Sequence, residues 1–486
     1  MTVLRKDKNM EKKLSLFPLV FFAIGCMLAS GVFTLSGDFA AAGAYTLATI
    51  IGWGITFVGM IALTMCYYRL AIAKPELTSG IYSYAKEGFG SYIGFNSAWG
   101  YWMSAILALV SFFVAFFGNL GAYIPAFGSG ATPVAVICAS VILWLFALLL
   151  MRGVSQATII NAFVVIAKVI PIIFMVIAAI FAKSFHWSIF VDNFTGMGSG
   201  MSLFDQVKAT IFTTVWIFIG IEGAVVISER AKTMKLAGNA TVISFIALFL
   251  LYFIISALSM GVMPHDDLAN LAWPSMAGVM TSIVGPWGGV LVNVAVFISI
   301  GGALFTYVIL STESAFGPAA QGCFPSILNK RNKHDAPIYS IVVSAIIVEI
   351  FLVIAMLSDA AFQNCYYLST IAIMIPYMLS AFYALKCCCK GETTQGLSGA
   401  GKVWTWIFSI IGAIYGVWML YASSITYVLV CALLYAPGII LYIIRRKEEN
   451  DGPVFPKVYD KIVAVVLVVM FVVAIVLLAT GVIAPF

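Results

Sequence analysis

Apolar runs of about 20 residues alternate with short polar segments along almost the whole chain, each run long enough to cross roughly 30 Å of hydrocarbon as a helix. They predict thirteen membrane spans, at 14–37, 43–67, 92–118, 132–151 and 157–182, then 207–228, 237–263, 285–312, 337–357 and 362–386, and finally 403–421, 425–444 and 460–482. No polar stretch is long enough to form a separate soluble domain. After span two, Pro75 to Tyr84 mixes turn formers with aromatics and resumes an amphipathic period through Phe89, which predicts a short interfacial helix. Segment 187–205 reads as a loop. Segment 264–284, with Pro264 and Pro274, reads as its counterpart after span seven, carrying short helices able to cover a vestibule.

Two spans are interrupted by glycine: Gly25 to Gly31 in the first and Gly220 to Gly223 in the sixth. In lipid every backbone N–H and C=O must be satisfied within the protein, so unwound backbone at membrane depth is tolerated only around a cavity or bound solute. Two breaks five spans apart predict an all-α integral membrane protein built as an inverted repeat, with a solute site near the bilayer midplane. The expected organisation is a tail at 1–13, five-helix repeats at 14–182 and 207–386, two helices within 403–444 and an extra helix at 460–482. The third span of each half carries a tyrosine, Tyr101 and Tyr307, in its middle or outer part.

Composition supports the membrane reading, with 63% hydrophobic and only 9% charged residues. The basic residues fall on one side of the thirteen spans when the N-terminus is placed in the cytoplasm; only Lys168, Lys183 and Lys208 of the 26 lie elsewhere. The net charge of +6 therefore reports topology and contact with the lipid bilayer's anionic head groups, and excludes a nucleic-acid-binding role, for which there is no basic, aromatic-laced domain. The first span is too long for a secretory leader and reads as a retained helix. The nine cysteines show no metal-binding spacing, and neither disulfides nor a metal or cofactor is expected. No filter-like repeat points to a channel, and no nucleophile pair or carboxylate dyad points to an enzyme.

The chemistry gathers at the breaks. Unwound backbone offers N–H donors on one side and C=O acceptors on the other, and the adjoining half-helix N-terminus adds a positive field that suits a carboxylate. Ser30 and Gly31 allow close backbone approach and add a hydroxyl. Glu222 sits at the second break, where it pairs with a cationic substrate group, carries a proton, or caps freed amides. Trp216, six residues before it, is placed to roof the site, with Tyr101 and Tyr307 completing an aromatic box for a cation. Lys168 in span five either supplies an ammonium to carbonyls of the broken first helix or snorkels to the surface. Glu313 and Glu349 stay unassigned, and His186, His265 and His334 all fall in loops.

The chain resembles the amino acid, polyamine and organocation superfamily, in its basic amino acid/polyamine antiporter branch, over about residues 12–445. The resemblance is carried by Gly25 to Phe33, Pro75 to Tyr84, Val215 to Gly223, Ser228 to Lys232, and Ile375-Pro376-Tyr377 with Ala381 to Lys386. It implies a leucine-transporter-like 5+5 inverted repeat. It also implies that Ser30 and Gly31 bind an α-carboxylate with Met27 lining the same break, and that carbonyls near Trp216 and Ile219 take the α-amino group. Trp216 would be a middle gate, Tyr101 an outer-gate aromatic and Ser104 a neighbour of the substrate side chain. Glu222 would be linked to protons, and Lys168 would stand in for a sodium ion. Tyr307 and Leu109 depart from the arginine/agmatine exchanger, which has tryptophan and asparagine there, and similarity is greater to arginine/ornithine-type exchangers. The implied activity is exchange of a cationic amino acid for a related amino acid or amine, arginine for ornithine first. Lysine, histidine or decarboxylation-product exchange and proton-coupled uptake are the alternatives, and a homodimer is an implied assembly.

Overall fold

The computed structural model describes residues 15–28, 30–77, 81–153, 158–196, 199–222, 232–358, 360–450 and 452–483, and these are entirely helix, turn and loop. Among the described residues, ten helices are long and apolar enough to cross a membrane. They are Thr46–Ala73, Ser91–Gly121, Pro133–Met151, Lys235–Val262, Pro286–Ala320, Ile338–Ala355, Ala361–Cys389, Gly399–Ala422, Ile425–Glu449 and Val458–Ala479, and each lies on one of the expected spans two to four or seven to thirteen. The protein is thus a multi-pass membrane protein. Span five is the 24-residue helix Thr158–Phe181. Spans one and six are interrupted at their breaks, and span twelve has a short interruption at Ala436 and Pro437.

Span one comprises the helix Leu16–Met27, the 3-10 turn Gly31–Phe33 and the helix Leu35–Ala41. The expected break at Gly25 begins later: Gly25 is still helical, and the chain leaves the helix at Leu28, with φ −83° and ψ 78°. Span six runs through Leu203–Ala209 and Ile211–Trp216 and then unwinds. From there single-turn bonds carry it, Phe218 N–H to Val215 C=O, Ile219 to Trp216 and Ile221 to Phe218. Gly220, at φ +97°, adopts a conformation that a side chain would strain. Gly223 lies outside the described residues.

Around these breaks, span one packs on span seven and span seven on span two, while span three packs on spans eight, nine and ten. Polar side chains pin the second group: Trp102 Nε1 donates to Ser344 Oγ at 3.0 Å, and that hydroxyl donates on to Ser311 C=O at 3.1 Å. Trp99 Nε1 donates to Leu434 C=O and Tyr435 OH to Ala372 C=O, joining span twelve to spans three and ten. Bonds of this kind between membrane helices contribute about 0.6–2 kcal/mol each.

The helix expected after span two is Ile81–Phe89; one face packs into the protein, while Glu87 is exposed and Lys86 partly so. Tyr82 and Tyr84 are buried, Tyr84 stacks on Tyr383 at 5.9 Å, and Ser83 Oγ donates to Gln321 Oε1 at 2.8 Å. Its aromatic face is therefore satisfied by neighbouring helices. The segment read as a loop at 187–205 carries the short helix Trp187–Asp192. Asn193 follows it and fastens the segment to the end of span seven, donating to Met260 and Met263 C=O and accepting from His265 N–H. The counterpart 264–284 folds into His265–Ala269 and Ser275–Val284. Ser275 Oγ donates to Thr34 C=O at 3.1 Å and accepts from Gly37 N–H at 3.2 Å, so this segment sits directly on the second half of span one.

Candidate functional site

The two breaks touch. A Cβ built on Gly31 would stand 2.8 Å from Ile217 Cγ2 and 2.8 Å from Trp216 Cδ1, so only glycine lets the first break approach the second this closely. Ser30 is 1% exposed, and its hydroxyl has no hydrogen-bond partner among the described residues. A buried, unsatisfied hydroxyl costs about 1–3 kcal/mol, which favours any polar ligand it can reach. Met27 is the last helical residue before the break and is buried; its carbonyl, freed by the unwinding, accepts from Tyr252 OH of span seven at 3.4 Å. Gly31 C=O takes both the N–H and the hydroxyl of Thr34, each at 3.1 Å.

Glu222 closes the other end of the site. It is 2% exposed, and two phenols hold its carboxylate: Tyr377 OH donates to Oε2 at 2.7 Å and Tyr101 OH to Oε1 at 3.0 Å. Gly220 N–H donates to the same Tyr377 oxygen at 3.4 Å, so span ten supports both the acid and the unwound backbone that presents it. Both carboxyl oxygens of this buried acid therefore have a hydrogen-bond partner, as buried polar groups require.

Trp216 lies at the opposite end. Its indole meets Phe112 of span three at 5.8 Å and Tyr366 of span ten at 5.5 Å, and Phe112 in turn meets Tyr307 edge-on at 4.7 Å. The structure therefore puts Tyr101 with Glu222 and not with Trp216, contrary to the outer-gate placement. The reason is distance along one rigid helix: Phe112 is eleven residues further along span three, about 16 Å. Ser104 sits one turn from Tyr101, and its hydroxyl is shared with Ser369 of span ten at 3.1 Å, while Ser369 Oγ donates to Ser104 C=O at 2.8 Å. Ile219 is buried in the break, and its N–H bonds to Trp216 C=O at 3.2 Å.

Met27, Ser30, Gly31, Trp216, Ile219 and Glu222 thus meet around one pair of breaks. Tyr101 and Ser104 border it on the Glu222 side, and Tyr307 on the Trp216 side. Lys168 lies within helix Thr158–Phe181, but its side chain, like all of Ala29, is outside the described residues. Tyr377, Phe112, Tyr366 and Tyr252 are contributors that the sequence reading gave no role. Tyr377 lies 155 positions from Glu222, a proximity that no local pattern signals.

Two broken helices abutting at mid-span, flanked by an aromatic layer and a buried acid, define a membrane transporter of the leucine-transporter-like fold. The crystal structure of MhsT in complex with L-phenylalanine has this fold too, with a TM-score of 0.58 over 86% of this chain and 100% of that one, at 13% identity. At the level of sequence the chain belongs to the amino acid permease family, which matches residues 14–485. It is 40% identical over 470 residues to the arginine/ornithine antiporter of Pseudomonas aeruginosa, covering 95% of this chain and 96% of that one. It is 36% identical over 450 residues to a putative arginine/ornithine antiporter of Escherichia coli K12, covering 92% and 95%.

Proposed function

We propose that the protein exchanges cationic amino acids across the cytoplasmic membrane by alternating access, with arginine for ornithine as the principal pair. The observation that carries this reading is the buried Glu222, held by Tyr101 and Tyr377 at the end of a break that abuts Ser30 and Gly31. The likeness to the Pseudomonas aeruginosa antiporter supports the choice of pair.

The α-carboxylate takes the Ser30 hydroxyl and the amides freed near Gly31, and the α-amino group takes carbonyls near Trp216 and Ile219. Met27 and Ser104 line the cavity, and Tyr307 bounds the side-chain end together with Phe112. Access on the Trp216 side requires the indole to leave Phe112 and Tyr366. Access on the other side requires Glu222 to part from two tyrosines on spans three and ten. Each closure joins span six to spans three and ten, and the moving unit is spans one, two, six and seven, rocking against a scaffold of three, four, eight and nine. Lys168 stands in for a sodium ion beneath the first break. The N-terminus is cytoplasmic, the repeats are 14–182 and 207–386, and the assembly is a homodimer with no enzymatic activity.

Purified protein in liposomes preloaded with ornithine tests this. Internal ornithine should accelerate uptake of labelled arginine, without response to an imposed voltage, since the swap moves no net charge. Uptake indifferent to preloading would contradict exchange. A flux that responds to voltage, driven by about 2.3 kcal/mol per charge per 100 mV, would favour a neutral-for-cation pair such as histidine and histamine.

A further inference from the structure

Spans two and seven leave a groove between them, near the end at which span two finishes and span seven starts. Met65 and Tyr68 of Thr46–Ala73 line it together with Asn239, Val242 and Ile243 of Met234–Val262, and its volume is about 280 Å³. It opens to the outside of the bundle, where Asn239 and Ile243 are exposed. Gly238 shapes its floor: a Cβ there would stand 1.7 Å from Tyr68 Cδ2, so the phenol ring lies directly on the backbone of span seven. Phe57, two turns from Met65 towards the membrane interior, packs on Phe245 at 6.0 Å and on Phe249 at 4.7 Å, and there the two spans meet again.

Asn239 is an unusual residue for such a surface. Its amide makes no hydrogen bond among the described residues, and a polar group turned towards hydrocarbon is costly unless something satisfies it. Lys235 stands one turn earlier on the same helix face and is exposed, as is Lys232 just before the helix. Among the described residues neither lysine makes a salt bridge. Arg69, next to Tyr68, turns elsewhere and donates to Thr393 C=O, so the positive charge at the groove mouth comes from span seven. The 29 residues of Met234–Val262 make about 43 Å of helix against roughly 30 Å of hydrocarbon, so the helix reaches beyond the apolar layer, and the lysines mark an end that does so. An ammonium at head-group level, an amide about 6 Å deeper and an apolar channel below follow the order of phosphate, glycerol ester and acyl chain in a phospholipid.

We propose that this groove binds one anionic phospholipid, whose phosphate pairs with Lys235 and Lys232, whose ester carbonyls accept from the Asn239 amide, and whose acyl chain lies over Met65, Val242 and Ile243. Charge complementarity selects the occupant. A zwitterionic phospholipid satisfies Asn239 equally but brings a cation of its own towards the lysines, whereas an anionic one brings none. A lysine at head-group level strengthens attachment to an anionic lipid about five-fold. The lipid is held by spans two and seven together, independently of which solute the transporter carries.

The test is native mass spectrometry of the full chain, stripped of lipid in detergent and titrated with phosphatidylglycerol or phosphatidylcholine. Wild type is compared with Lys235→Gln, Asn239→Leu, Val242→Trp and, for a charge elsewhere, the exposed Lys447→Gln, after each is shown to be monodisperse. Wild type should bind a first phosphatidylglycerol about five-fold or more tighter than phosphatidylcholine. Lys235→Gln should weaken phosphatidylglycerol about five-fold and leave phosphatidylcholine unchanged. Asn239→Leu should weaken both lipids about three-fold, because the ester carbonyls are common to them. Val242→Trp should abolish the tight first site by filling the groove, and Lys447→Gln should match wild type. A wild type without preference between the lipids overturns the proposal, as does Lys235→Gln that keeps the preference or loses both lipids equally. Wild-type binding by Asn239→Leu, or a loss in Lys447→Gln as large as in Lys235→Gln, overturns it too. If Val242→Trp fails to fold, the substitutions at the exposed Lys235 and Asn239 decide.

Discussion

Gly31 has no side chain because Trp216 and Ile217 occupy the place where one would be. Adding a methyl there requires movement of an indole already fixed by Phe112 and Tyr366. Overpacking of this sort costs about 1–3 kcal/mol. Gly31→Ala is therefore expected to lower arginine exchange at least ten-fold and to reduce the melting temperature in detergent; a variant with wild-type exchange would contradict the contact. At the other end, Tyr377→Phe strips a 2.7 Å donor from a buried carboxylate, a loss of about 1–3 kcal/mol. Tyr101→Phe removes a longer bond, at 3.0 Å, made by a tyrosine that is itself only half-buried, and should cost less. Thermal melting of the two purified variants gives the order directly, and equal melting temperatures would show that Glu222 does not depend on Tyr377 in the way described.

Elements that follow from local pattern were legible in the sequence, and elements that follow from neighbours were not. Continuous spans announce themselves as apolar runs because the bilayer sets their length, and the two breaks were marked by glycines. The exact point of unwinding was not marked, since Gly25 tolerates a helix and Leu28 leaves one. For a related reason, the position of Tyr101 along span three does not reveal which part of span six stands opposite. The inward packing of helix Ile81–Phe89 was not legible because its partners, Tyr383 and Gln321, come from the other half of the chain.

The turn after span ten offers an element-scale test outside the membrane. Lys74, at the end of span two, pairs with Glu392 at 2.9 Å. The Lys74 hydrogen bond holds the Glu392 carboxyl below the usual glutamate range, and the same bond raises the Lys74 ammonium above the usual lysine range. A depressed acid stabilises the fold above its ordinary value, about 4.3, and this contribution fades as pH falls through the depressed value. A raised lysine stabilises below about 10.4 and loses this as pH rises through the raised value. The pair is thus fully formed between those limits. Both partners are partly exposed, so Lys74→Gln should cost less than about 1 kcal/mol at neutral pH, and the difference from wild type should shrink on acidification. A large effect at neutral pH would mean that the pair is a principal latch.

For the molecule as a whole, the interlocked helices are those around the breaks, whereas span thirteen is peripheral. Within Val458–Ala479 only Asp460, Ala464 and Ala474 are buried, and its main helix contact is with span twelve. A chain ending before residue 458 should still exchange arginine, with a melting temperature a few degrees lower as measured by fluorescence-detected size exclusion after heating. Complete loss of exchange in a monodisperse truncated protein would assign this span a direct role. The central claim, however, is that the two breaks together hold the amino acid backbone of the substrate. A density map of the arginine-loaded protein tests it most directly. The expected map shows the α-carboxylate against Ser30 and Gly31 and the α-amino group against carbonyls near Trp216 and Ile219; arginine bound elsewhere, with the breaks still packed against each other, would contradict it.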